Sequence, residues 1–435
     1  MMVTLPYVHQ QLGARQLVPL GLVLCTLYQL DVIRTRPSLF SGLLLGLYLS
    51  LQYYVCSYYA LFLIILLPIT AIPLLGYRIA SRRSWNALLI SLVPVLVIAF
   101  PIVLAQSQYL SSFGFKRDAS DFWKGSALPS DYLLSTWKPL VPFPGIGAAG
   151  SPSAIAAFFP GTIKGALAVA GLVFGLSGHG RRRWVVAVTC MILVAGLMSV
   201  GPRIRWGQVS IQDIVAHLVP GMAHVRTLFR FGVFVQLGTV ILATFGLHYV
   251  TVLDRTLRHR SGYKVAARSK IAASLILVAG TLGVCEILPP RQPLFTVPPL
   301  EPFPQWTIWL RDNTPPGTVL ACVPFSKGVT VRGYVDDAMW MYWQAAHGRR
   351  IANGYSGYFP EPFLAVQREM KRFPAPESVD ELRRIGVEWC VVQQGLGAPS
   401  RSHLARAGLT EIYYDEISRV SIFQIPKAKS TPGSL

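Results

Sequence analysis

The chain has 435 residues, 52% of them hydrophobic and 14% charged, a balance that excludes an ordinary soluble domain and points to a membrane protein. Its formal charge of +20 is unevenly divided: residues 1–290 hold 24 Lys and Arg against 7 Asp and Glu, the remainder 16 against 13. Basic charge concentrated between long apolar runs is a pattern of membrane topology and not of a nucleic-acid surface.

A bilayer core of about 30 Å calls for roughly 20 apolar residues in a helix, with about 17 as the working minimum. Taken in chain order, spans are expected over 17–33, 39–54, 57–77, 85–106, 161–177, 184–200, 231–250 and 271–288, eight crossings in all. The run from Leu39 to Tyr77 carries no charge over 39 residues, too long for one span, and divides most simply around Gln52, Tyr53 and Tyr54. Four loops are basic: Arg34 with Arg36; Arg78, Arg82 and Arg83; Arg181, Arg182 and Arg183; and six residues between Arg255 and Lys270. Basic residues near span ends resist translocation, so all four loops are expected in the cytoplasm. The N-terminus, the loops 107–160 and 201–230, and everything after Pro289 are then outside. Residues 1–16 show no basic and apolar leader pattern, and an external start without one leads to the expectation of further spans upstream.

Pro289 to Pro304 holds seven prolines in sixteen residues and reads as a stiff extended linker. Residues 305–435 then change periodicity to that of a soluble α/β domain. Residues 318–324 and 387–393 are short β-branched runs suited to buried parallel strands. Helical patterns cover 361–372, 377–385 and 400–407, and 411–425 alternates as a terminal pair of strands. The fold class expected is a polytopic α-helical membrane protein of about eight spans carrying a C-terminal extracytoplasmic α/β domain.

Several residues could carry chemistry. Gly145, Gly147 and Gly150 fit a G-x-G-x-x-G pattern, but no strand precedes it and no β-α-β unit follows, so it reads as a loop. Asp213, His217 and His224 form a conceivable metal trio, but lack a fourth ligand; an interfacial helix is the better reading, and no metal site is expected there. Lys116, Arg117, Asp118 and Asp121, followed by Trp123 and Lys124, lie in an external loop. Asp118 and Asp121 are candidate acid/base groups beside a phosphate-binding Arg117, against the alternative of a solvated, ion-paired turn. In HVRTLFRF, which begins at His224 and immediately precedes a span, Arg226 and Arg230 are four residues apart, as on one helical face at the outer leaflet. Their guanidinium groups suit a lipid phosphate, and snorkelling anchors are the alternative.

In the soluble domain Asp336 and Asp337 adjoin a Met- and Trp-rich stretch, and Asn353 and Tyr355 begin NGYSGYF. The four are candidate sugar-binding residues, the competing reading being a core helix followed by an Asn-Gly turn. Cys322 and Cys390 fall in candidate neighbouring strands and could pair or remain buried thiols.

Taken together, FFPG at 158–161, LMSVGPR at 197–203, VPGMAHVRTLFRF at 219–231, NGYSGYFPEPF at 353–363 and LRRIGVEWCVV at 382–392 resemble the carboxyl portion of large bacterial multi-pass proteins related to GT-C glycosyltransferases. The resemblance implies residence in the bacterial cytoplasmic membrane, an extracytoplasmic α/β domain, and polyprenyl-phosphate-linked sugars as donors in envelope glycan synthesis. It also implies sugar transfer with or without a divalent metal, a carboxylate as base, and arginines on the leaving phosphate. In that family the catalytic aspartate normally follows the first span. Residues 1–16 contain no Asp or Glu, so an N-terminal membrane segment or partner is expected to supply it. The rival expectation is a non-catalytic membrane assembly or sugar-binding protein.

Overall fold

A computed structural model describes residues 5, 7–8, 11, 14–112, 114, 117, 119–135, 147–148, 157–178, 181–261, 274, 277–286, 296–326, 334–355, 359–395 and 398–426. The chain divides into two compact units, Met1–Pro293 and Leu294–Leu435.

The first unit is helical. Its elements are α1 (Gly21–Thr35), α2 (Leu39–Val55), α3 (Ser57–Leu75), α4 (the run Arg82–Ser112), the short α5 (Ala119–Lys124), α6 (Thr162–Ser177), α7 (Arg182–Val200), a small hairpin of β1 (Arg205–Trp206) and β2 (Val209–Ser210), α8 (Ile211–Leu218), α9 (Gly232–Ser261) and α10 (277–285). Among the described residues four helical runs are long and apolar enough to cross a membrane: Ser57–Ala80, Arg82–Ser112, Arg182–Arg203 and Leu228–Tyr249; α2 and α6 are apolar but shorter. The expected span 271–288 lies partly outside the described residues. The division of the 39–77 run falls at Cys56, just beyond the polar trio, and Gln52 is buried inside α2.

Proline and glycine shape the helices. Pro68 and Pro73 sit within α3, as membrane helices allow when neighbours satisfy the freed carbonyls. In α4 a π turn over Val95–Ala99 follows Pro94, whose missing N–H disrupts the regular ladder. Glycines set the closest helix approaches. A Cβ on Gly42 or Gly46 of α2 would lie 2.0 Å from the carbonyl oxygens of Ala87 and Ser91 in the α4 run, respectively. One on Gly171 of α6 would lie 1.9 Å from Leu242 O, and one on Gly246 of α9 would lie 2.1 Å from Leu167 O. Without a hydrophobic drive between helices in lipid, such backbone approach is a main source of packing energy.

The bundle gathers different chemistry at its two ends. At one, Asp31 accepts hydrogen bonds from Trp184 Nε1 (2.9 Å) and Arg34 Nε (2.7 Å), and Arg78 donates to Arg34 O (2.6 Å). Arg183 stacks 4.9 Å over the Tyr77 ring at the same end. These residues come from three of the four basic loops. The other end is underlain by aromatic packing in which Phe62 and Phe231 stack with centroids 3.7 Å apart, and Tyr59 meets Phe234 edge-on at 5.9 Å.

The second unit comprises α11 (Gln305–Asn313), β3 (Val319–Val323), α12 (Val335–His347), β4 (Arg350–Ile351), α13 (Glu361–Met370), α14 (Pro376–Arg384), β5 (Trp389–Gln393), α15 (Arg401–Arg406), β6 (Thr410–Asp415) and β7 (Val420–Gln424). The sheet order is β4-β3-β5-β7-β6, parallel among the first three and antiparallel for the last two. One face carries Cys322, Val391 and Ile422 against Trp306, Leu310 and Trp340; the other carries Ala321, Cys390 and Phe423 against Val366, Val379, Leu382 and Leu404. Ala321 pairs with Cys390, so Cys322 stands one residue out of register. Side chains alternate faces along a strand, which sends the two sulfurs to opposite sides of the sheet, and both are free thiols.

His347, at the end of α12, is buried beside Trp306. Burial, followed by the neighbouring Arg349 charge, pushes its pKa down to about 4. The unfolded imidazole binds a proton near about pH 6.5, so the native state binds fewer protons between these values. Stability therefore falls as pH is lowered through that window, by at most about 3 kcal/mol. Denaturant unfolding of the full chain at successive pH values should show this slope, and His347→Gln should flatten it.

Candidate functional site

The arginines singled out in the sequence converge at the aromatic end of the bundle, by a route other than the one expected. Residues 224–231 are not one helix: Met222–His224 and Leu228–Phe231 are separate single turns, with non-helical backbone at Val225 and Thr227 between them. The cause is a contact distant in sequence. Phe229 N–H donates to Gly125 O (2.9 Å), and a Cβ on Gly125 would lie 1.7 Å from Arg226 O. The 125 region thus packs backbone to backbone against the 226 region, where the chain is non-helical. Arg226 and Arg230 therefore do not share a helical face.

They are linked through Tyr58 and Arg117. Arg230 stacks its guanidinium over the Tyr58 ring at 4.5 Å. Arg117 lies within electrostatic reach of Arg226, Asp121, Tyr58 and His224. Its Nη1 lies 3.7 Å from Asp121 Oδ2. Burial first, then the Arg226 charge, holds the Arg117 pKa below the ordinary arginine value, with Asp121 opposing the shift. His224 is likewise pushed down, by burial and then by Arg117. The Nε of Arg230 and the Oγ1 of Thr227 are buried and make no hydrogen bond among the described residues. Buried donors of this kind call for an acceptor. Through Arg117 and Tyr58 the cluster thus joins three arginines and a histidine with the partly exposed Asp121 carboxylate, a mainly cationic grouping that suits an anion.

Asp118 lies outside the described residues. Two other acids at this end serve as caps: Asp131 Oδ2 accepts from Leu128 N–H (2.8 Å), and Asp213 Oδ2 accepts from Ser210 N–H (2.8 Å). Asp213 thus caps α8, and His217 Nδ1 lies 2.7 Å from Asp213 O. Among the described residues no three His, Cys, Asp or Glu side chains are grouped to hold a metal ion. Sequence reading missed Tyr58 and Gly125. Tyr58 follows the break at Cys56 in a charge-free stretch, and no local signal relates either residue to the arginines.

The sugar-binding candidates of the second unit separate into buried and exposed pairs. Asn353 Oδ1 accepts from Cys322 N–H (2.7 Å), while its Nδ2 donates to Cys322 O (2.9 Å) and Asp337 Oδ1 (2.8 Å). Asn353 therefore extends the ladder of β3, and Asp337 orients it. Both are buried, and burial raises the Asp337 pKa. Ser326 lies near that carboxyl, without an ordinary hydrogen bond to Oδ2. Asp336 and Tyr355 are exposed, the latter with its ring 5.2 Å from Tyr334.

The fold and the cationic end together define a multi-pass helical membrane protein with an attached α/β unit. No family model matches the chain, and no curated protein matches it. A solved structure of the arabinofuranosyltransferase AftD from mycobacteria shares the fold, with a TM-score of 0.57 at 16% identity over 99% of this chain and 31% of that one. A point mutant of the same enzyme gives a TM-score of 0.57 at 17% identity, covering 99% and 32%. The chain thus spans about a third of the length of the structures it matches, and the likeness to part of an arabinofuranosyltransferase agrees with the resemblance read from its motifs.

Proposed function

We propose that the chain is part of a membrane glycosyltransferase that takes sugars from polyprenyl phosphate in envelope glycan synthesis, with Arg117, Arg226 and Arg230 holding the lipid phosphate. The observation that carries this reading is the grouping of Arg226, His224 and Asp121 about Arg117, with Tyr58 joining Arg230 to it, at a bundle end; the fold likeness to an arabinofuranosyltransferase supports the sugar-transfer class. Guanidinium groups in a partly buried site stabilise charge that develops on a departing phosphate. Asp121, with a side chain 39% exposed, and Asp118 are the acid/base candidates. Asp336, Asp337, Asn353 and Tyr355 remain the sugar-binding candidates, the first and last being reachable from solvent. In this reading the protein crosses the bacterial cytoplasmic membrane about eight times, and the cluster and the α/β domain face outward. A membrane partner contributes the principal catalytic acid, and a divalent metal is an optional participant.

Polyprenyl-phosphate affinity of the full chain in detergent tests the proposal. Charge-assisted contacts contribute about 1.5 to 3 kcal/mol each, so replacing Arg226 and Arg230 together with Gln should weaken binding at least about tenfold. Lysine at both positions should restore only part of the loss, since it lacks the planar fork. Unchanged affinity in a folded double Gln variant would leave the arginines as anchors.

A further inference from the structure

Immediately beyond α7 the chain forms an element that the proposed transfer reaction does not use. Gly201, in the left-handed region at φ +54°, turns the chain off the helix, and β1 and β2 pair Arg205 with Ser210 and Trp206 with Val209. Ser210 and Asp213 cap the N-terminus of α8 reciprocally. The apolar positions of α8 are Ile211, Ile214, Val215 and Leu218, one continuous helical stripe. Only half of it packs on the protein: Ile211 and Val215 lie against the bundle core. Ile214 and Leu218 are exposed, Leu218 to 74%, and with Val209 and the 68% exposed Trp206 they continue the apolar surface away from the protein.

The position of this surface is fixed by the span it follows. The nineteen residues of α7 rise roughly 28 Å at 1.5 Å each, close to the hydrocarbon thickness of about 30 Å. The hairpin and α8 therefore begin at the boundary between acyl chains and headgroups. At that level Arg203 and Arg205 place their guanidinium carbons 5.1 and 5.0 Å from the Trp123 ring centre, and Arg203 Nη2 donates to Trp123 O (3.3 Å). Asp213, within electrostatic reach of Arg205, is already engaged at the cap.

We propose that residues 203–218 form a wedge in the bilayer interface, with Trp206, Val209, Ile214 and Leu218 inserted among acyl chains and Arg203 and Arg205 on lipid headgroup phosphates. An aromatic and aliphatic face below a pair of arginines matches that partner. Trp123 lies on α5 with Asp121, so the stack links the bilayer surface to the helix bearing the candidate acid. The surface depends on the protein's being in a membrane and is independent of what the anion site binds.

Tryptophan emission of the full chain in vesicles of phosphatidylcholine and phosphatidylglycerol, with and without brominated acyl chains, tests the wedge. The emission lost on Trp206→Phe is expected to be the part most strongly quenched by brominated lipid. In that background Leu218→Trp should add a second quenched component, which keeps the test informative if one substitution perturbs the hairpin. Insensitivity of both to brominated lipid overturns the proposal, with iodide quenching then assigning the face to water and resistance to both quenchers assigning it to another protein surface.

Discussion

Gly246→Leu should abolish or severely weaken the packing of α9 on α6, seen as loss of a monodisperse, thermally cooperative protein in detergent. The first added carbon would already stand 2.1 Å from Leu167 O, and the reciprocal position, Gly171, leaves 1.9 Å to Leu242 O. These obstacles are backbone atoms, which cannot rotate aside as a side-chain end can, so relief requires the helices to part. Overpacking typically costs about 1 to 3 kcal/mol, and this contact should fall at or above the top of that range. Gly165→Leu is the control: it lies on the same α6, with nothing within 4 Å of an added Cβ. If Gly246→Leu melts like Gly165→Leu, close backbone approach is not what holds these helices together.

The second large effect is expected at Glu286. Its carboxylate accepts the Ile163 N–H with both oxygens, at 3.0 and 2.9 Å, satisfying an otherwise unpaired donor in the first turn of α6. Lys164, buried beside it, donates to Gly283 O at 2.6 Å and lies within electrostatic reach of the carboxylate. Glu286→Ala removes the counter-charge and leaves a buried ammonium, a change that costs about 3 to 5 kcal/mol. Glu286→Gln keeps one acceptor and should cost less. Because a paired buried charge is often replaceable by apolar groups, the double variant Lys164→Met with Glu286→Leu should recover much of the loss in thermal unfolding. A double variant no better than Glu286→Ala would show that the cap on α6, and not the charge pair, dominates.

These sites also show what a sequence can disclose. The charge-free run from Leu39 to Tyr77 announces two apolar helices, because length against bilayer thickness is a local property. The break at Cys56 is not announced, since no proline or glycine marks it. Arg117, Arg226 and Arg230 were recognisable by residue type and by position beside a span. Their geometry was not: the helical spacing of Arg226 and Arg230 is overridden by the Gly125 contact, about a hundred residues away in the chain. The strands β3 and β5 lie within the β-branched runs at 318–324 and 387–393, where periodicity and burial agree. Asp337 and Asn353 stood out for their chemistry, but only the fold reveals that they lock each other and the end of β3. In each case the pattern within one element was legible, and the partner supplied by another was not.

The placement of Cys322 and Cys390 on opposite faces of one sheet has a bearing on biogenesis. The two strands that bear them pair directly, and neither thiol can reach the other without pulling that pairing apart, so an oxidising compartment offers this unit no covalent brace. Its cohesion must come from the two layers of helices against the sheet. Maturation therefore requires no oxidase or isomerase acting on these two residues, and the folded unit is indifferent to whether it was assembled before or after contact with an oxidising environment.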